Sequence, residues 1–74
     1  MSTLYSIHSR QTGALIAALD KQSVVEIHRG NDAFILHPDG APCYVTPKGG
    51  LRKIAGNREI SAELKRLRRL REQH

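Results

Sequence analysis

The sequence predicts an α+β fold in which a β-α-β-β domain precedes a basic amphipathic helix. Three observations predict it. A run rich in β-branched residues, Val24-Val25-Glu26-Ile27, and an apolar run, Ala33-Phe34-Ile35-Leu36, flank the turn chemistry of Gly30-Asn31-Asp32. Ile60, Leu64, Leu67 and Leu70 recur at four, three and three residues, the period of a helix face. Charge is also unevenly placed. Residues 1–47 carry three basic and four acidic groups, net −1, whereas residues 48–74 carry nine basic and three acidic groups, net +6.

Thr3 to His8 reads as a short strand, with Leu4 and Ser6 on one face and Tyr5 and Ile7 on the other. Ser9 then reads as an N-cap, because its hydroxyl can accept from the free amides of a first helical turn. The helix it starts runs to about Asp20 or Lys21 and buries Leu15, Ile16, Ala18 and Leu19. Gly13 weakens that helix by about 1 kcal/mol relative to Ala, or it allows close backbone approach. Ser23 to Arg29 and Ala33 to His37 read as two strands of a hairpin. Pro38-Asp39-Gly40 is a further turn, and Cys43 to Thr46 is a short strand that Pro42 and Pro47 confine to an edge. Pro47-Lys48-Gly49-Gly50 reads as a hinge, with a helical turn at Leu51 and Ile54 broken by Gly56. Asn57 is a second N-cap, opening the basic helix. The organisation is a domain at 1–47, a hinge at 48–56 and a partner-binding helix at 57–74.

Size and composition set the class. A chain of 74 residues is one domain with a thin core, burying about 60% of the surface its unfolded chain exposes. Small scaffolds often gain stability from a second subunit. With no Trp, one Phe and two Tyr, a homodimer is expected. A single cysteine precludes an intramolecular disulfide framework. The apolar run Ala14 to Leu19 is far below the roughly 20 residues of a membrane span, and the start does not read as a signal peptide. These features read as a cytoplasmic protein with no membrane partner. The net charge of +5 suggests a polyanionic partner, nucleic acid above all. The alternative is a solvated helix face.

The order of elements and several local residues resemble the Phd/YefM (prevent-host-death) antitoxin family. The first stretch is Ile7-His8-Ser9-Arg10-Gln11, followed by Ala14-Leu15 and Leu19; the second is Val25-Glu26-Ile27-His28-Arg29-Gly30-Asn31, then Ala33-Phe34-Ile35-Leu36. The likeness covers about residues 3–38. After Pro38 the chain departs from the family, with an extended segment where a helix is usual and a basic tail where an acidic one is common. The resemblance implies a dimer on palindromic operator DNA, led by Arg10 at the start of the first helix and Arg29 at the end of a strand. Gln11, His28 and Asn31 lie nearby in sequence. Arginine at a helix start grips phosphate or a guanine edge; otherwise it is a surface residue paired with Asp20 or Glu26. The resemblance also implies a cognate toxin, bound by Ile60, Leu64, Leu67 and Leu70. The same stripe suits packing within a dimer, and Lys65, Arg66, Arg68, Arg69 and Arg71 suit a run along DNA phosphates.

Neither a metal site nor catalysis is expected. His8, His28, His37 and Cys43 lack zinc-finger or His-x-x-x-His spacing. Cys43 with a histidine and Asp39 would need an oxyanion loop that the chain does not offer, so no enzyme and no cofactor is expected. The reading is an antitoxin that represses its own operon as a homodimer and neutralises a cognate toxin. The alternatives are a stand-alone phage or plasmid regulator and a protein-binding inhibitor that blocks a nucleic-acid-binding surface.

Overall fold

Residues 3–30 and 32–73 are described by a computed structural model. Alternation in the first strand, β1 (Tyr5–Ser9), turns Tyr5 and Ile7 to one side and Ser6 and His8 to the other. A tight turn then reverses the chain. The Ser9 amide donates to the Ala14 carbonyl at 2.9 Å, and the Gly13 amide donates to the Ser9 carbonyl at 2.8 Å. Gly13 takes φ +74°, a conformation in which other residues are strained. Strand β2 (Leu15–Leu19) returns antiparallel to β1. Asp20 caps helix α1 (Lys21–Ile27), its carboxylate accepting from the Ser23 amide at 2.8 Å. That hydrogen bond holds the Asp20 carboxyl below its ordinary pKa.

Helix α1 carries the chain over β1 to strand β3 (Ala33–Leu36), which pairs with the far side of β1 from Ser6↔Leu36 to Ser9↔Ala33. Two hairpins complete the sheet with β4 (Pro42–Val45) and β5 (Leu51–Lys53). The order is β2-β1-β3-β4-β5, with every neighbouring pair antiparallel. Helix α2 (Asn57–Gln73) closes the chain. One face of the sheet forms the main core, where Ile7, Ala33, Ile35, Cys43 and Val45 cluster with Val24 of α1. Phe34, Leu36 and His8 alternate to the opposite face, which α2 covers with buried Leu67. Fully burying a side chain of this size stabilises by about 1.5–3 kcal/mol, so α2 is anchored chiefly at one point.

The α+β class holds, and the last helix runs where its period placed it. The β-α-β-β order does not describe the first half. Residues 10–19, expected as a helix, form a turn and β2; residues 21–27, expected mostly as a strand, form α1. Ser9 does accept from backbone amides, Gln11 at 3.1 Å and Thr12 at 3.2 Å. Gly13 then turns the chain back instead of continuing a helix. Close approach at Gly13 is real: a Cβ there would stand 2.7 Å from Arg71 Cγ and 3.0 Å from the Leu67 carbonyl oxygen. The expected pairing of residues 23–29 with β3 is replaced by pairing of β3 with β1 and β4. The hinge segment holds a β-turn and β5, so Cys43 to Val45 is an interior strand. Thr46 fixes that turn, accepting from Gly49 on its carbonyl at 2.9 Å and from Gly50 on its hydroxyl at 2.9 Å.

Candidate nucleic-acid interface

A helix turns about 100° per residue, so the anchoring of Leu67 dictates where every other α2 side chain points. Ile60 and Leu70 flank Leu67 and are half-buried, as is Glu63. Arg58, Lys65 and Arg69, at i, i+7 and i+11, fall on the outward side, all exposed. They span about 16 Å of helix axis, at 1.5 Å per residue. Arg66 and Arg68 flank this row and are also exposed. Among the described residues the helix makes one ion pair, Arg66 to Glu63 at 2.9 Å.

This arrangement carries electrostatic strain. Lys65 and Arg69 are i,i+4 neighbours; Lys65 and Arg68, Arg66 and Arg69, and Arg68 and Arg71 are i,i+3 neighbours. Each like-charged pair costs a few tenths of a kcal/mol on an exposed helix. A polyanion laid along the row relieves that repulsion and releases its own counterions.

The residues singled out earlier gather elsewhere. Arg10 and Gln11 lie in the β1–β2 turn, and His28 and Arg29 follow α1. The Ser9↔Ala33 register brings the β1–β2 turn and the segment preceding β3 to one end of the sheet. Asn31 lies outside the described residues. Arg10 is not at a helix start: its guanidinium sits 4.5 Å from the centroid of the Phe34 ring. His28 is buried and its Nδ1 lies 2.9 Å from Asp32 Oδ1. That hydrogen bond, with a smaller contribution from the Arg10 charge, holds the Asp32 carboxyl below its ordinary pKa. Arg29 is exposed. Of the stripe read as toxin-binding, Leu67 is buried in its own chain and Ile60 and Leu70 are half-buried, while Leu64 remains 38% exposed. Leu64 borders a groove of about 530 Å³ with Leu36, Leu67, Arg68, Arg71 and Glu72.

Two basic features escaped the sequence reading. Arg58 joins the outward row; its place two helical turns before Lys65 was the available signal. Lys21, Lys48 and Arg52, distant in sequence, line one groove beside the β4–β5 turn; only the fold could reveal this. No group of three or more His, Cys, Asp or Glu is placed to hold a metal ion among the described residues. Cys43 is buried, its thiol pushed up in pKa mainly by burial. No helix among the described residues is long and apolar enough to cross a membrane. Compared with family models, curated proteins and solved structures, the chain gives no match.

Proposed function

We propose that the protein binds nucleic acid, gripping the phosphate backbone with the outward face of α2. The observation that carries this reading is the row Arg58, Lys65 and Arg69, exposed and without ion pairs among the described residues, on a helix whose opposite side is anchored by Leu67. Such a row neutralises phosphates without reading bases, so it gives affinity more than sequence choice. Sequence choice in a regulator of the kind the resemblance implies would come from Arg10, Gln11 and Arg29. The β1–β2 turn that carries Arg10 and Gln11 touches α2 at Gly13, on the Leu67 and Arg71 side and not on that of the row.

Fluorescence anisotropy of a labelled DNA duplex against salt tests the reading. Binding is expected to weaken log-linearly, with a slope near −0.9 for each phosphate contacted. No binding at low salt would remove the function.

A protein partner is the second reading, favoured by the exposed Leu64 and the apolar groove it borders. In the antitoxin role implied by the resemblance, a cognate toxin occupies that groove. Co-purification with the product of the adjoining gene tests it, and Leu64→Ala is expected to weaken the complex without unfolding the chain.

A further inference from the structure

Lys21, Lys48 and Arg52 border a groove that the α2 row does not use. It lies between α1 and the β4–β5 turn, where Gly49 comes so near the helix that a Cβ there would stand 3.8 Å from Val25 Cγ1. A neighbouring groove shares Lys21 and Gly49 with it and adds Glu26 and Arg29, so the two form one continuous surface. One wall follows from helical spacing: Lys21, Val25 and Arg29 recur every four residues. The β4–β5 hairpin supplies the other, with Lys48 in its turn and Arg52 on edge strand β5. Leu51 packs against the core, so Arg52 alternates away from it and borders the groove from the open edge of the sheet. All four cations are exposed, and none makes an ion pair among the described residues. The acids of residues 1–47 are Asp20, Glu26, Asp32 and Asp39. Three are held elsewhere: Asp20 by the Ser23 amide, Asp32 by His28 and Asp39 by Lys53. Glu26 alone of these borders the four cations.

We propose that this groove binds the phosphate backbone of a second DNA duplex, so that one chain bridges two duplexes. The proposal rests on the α2 reading for the first duplex. Helix α1 packs on the face of the sheet that holds Ile7, Ile35 and Val45, and α2 on the face that holds Phe34 and Leu36. The two cationic surfaces therefore belong to opposite sides of a body 26 Å across. Duplex DNA has a persistence length of about 150 bp. It does not fold back around so small a body, so the two surfaces take separate duplexes. The row, flanked by Arg66 and Arg68, carries more cations and takes the first. Contacts to phosphate carry no base readout, so bridging is indifferent to the sequence of the second duplex.

Capture between two duplexes tests it. One duplex is fixed to a surface, the protein is loaded at low salt, and a labelled second duplex is added. The unmutated chain should capture the second duplex. A variant carrying Lys21→Gln, Lys48→Gln and Arg52→Gln should melt as the parent does, load equally on the fixed duplex and lose capture. A folded variant that still captures would overturn the proposal, as would an unmutated chain that loads but captures nothing; both results leave the α2 reading standing. Failure to load at all removes the α2 reading and the bridge with it. Capture of labelled poly-glutamate but not of the second duplex would also overturn the proposal and assign the groove to an acidic protein.

Discussion

At the end of the sheet where β1 turns back, Arg10 lies over the Phe34 ring and His28 meets Asp32; on α2, Arg58, Lys65 and Arg69 face outward without an ion pair among the described residues. Both regions are basic in sequence, yet their charges do different work. The first set holds loops together: Arg10 on the Phe34 ring ties the β1–β2 turn to β3, and the His28–Asp32 contact closes the segment between α1 and β3 on itself. In the second set Lys65 and Arg69 repel each other as i,i+4 neighbours, and no ion pair among the described residues offsets them. Charge kept at a cost to the helix is what a polyanion-binding surface requires.

The largest expected effect tests whether the turn and α2 form one unit. Gly13→Ala combines a positive φ with a Cβ 2.7 Å from Arg71 Cγ and 3.0 Å from the α2 backbone. About 1–2 kcal/mol for the backbone and a further ~1–3 kcal/mol for overpacking would take much of the stability of so small a domain. A denaturant melt should show it, and an unchanged midpoint would separate the turn from the helix. Leu67→Ala comes next, at about 2–4 kcal/mol, and should release α2 from the sheet, read as lost amide protection across the helix. Arg10→Ala is smaller. A partly exposed cation–π contact contributes about 0.5–1 kcal/mol, so the same melt should shift modestly if Arg10 is structural. A variant of full stability with weakened DNA binding would instead assign Arg10 to the partner.

The smallest expected effect is at acid pH. Asp39 sits 2.5 Å from Lys53 and also accepts from the Ala41 amide at 2.9 Å. The Lys53 hydrogen bond foremost, then the Ala41 amide, lowers its carboxyl from 3.8 to about 2. A depressed carboxylate contributes stability that is present above its unfolded pKa and lost as pH falls through the folded one. Asp39→Asn should therefore flatten the stability profile between about pH 4 and 2, and leave the shape of the neutral region unchanged. A profile of the same steepness in that window would place the acid sensitivity elsewhere.

How much of this was legible in the sequence depends on the length and strength of the local signal. The α2 stripe is long and periodic, so its face was readable; which of its leucines is buried was not, because that needs the sheet beneath. The first half was inverted for identifiable reasons. Leu15-Ile16-Ala17-Ala18-Leu19 is a short apolar run whose periodicity does not distinguish helix from strand. Lys21–Ile27 is rich in β-branched residues, yet it is a helix because Asp20 caps it and Val24 fills the core; tertiary burial overrides propensity. Ser9 offered true capping chemistry, and Gly13 decided what followed it. Among the candidate site residues, Arg10 was singled out by type but at a helix start where the fold has a turn; its partner Phe34 depends on the β1–β3 register, whereas the His28–Asp32 contact is local, four residues apart. The groove of Lys21, Lys48 and Arg52 joins segments more than twenty residues apart, and no local pattern marks it.

The central claim is that the outward row of α2, not the charges at the sheet end, grips nucleic acid. It is tested most directly by the salt dependence of duplex binding for two variants. One carries Arg58→Gln, Lys65→Gln and Arg69→Gln; the other carries Arg10→Ala and Arg29→Ala. The account expects the α2 variant to keep its fold, lose affinity on every duplex sequence, and reduce the salt slope by about 3, one unit for each phosphate contact removed. The sheet-end variant should keep most of that slope. An α2 variant with unchanged affinity and slope, in a chain that still melts cooperatively, would contradict the account.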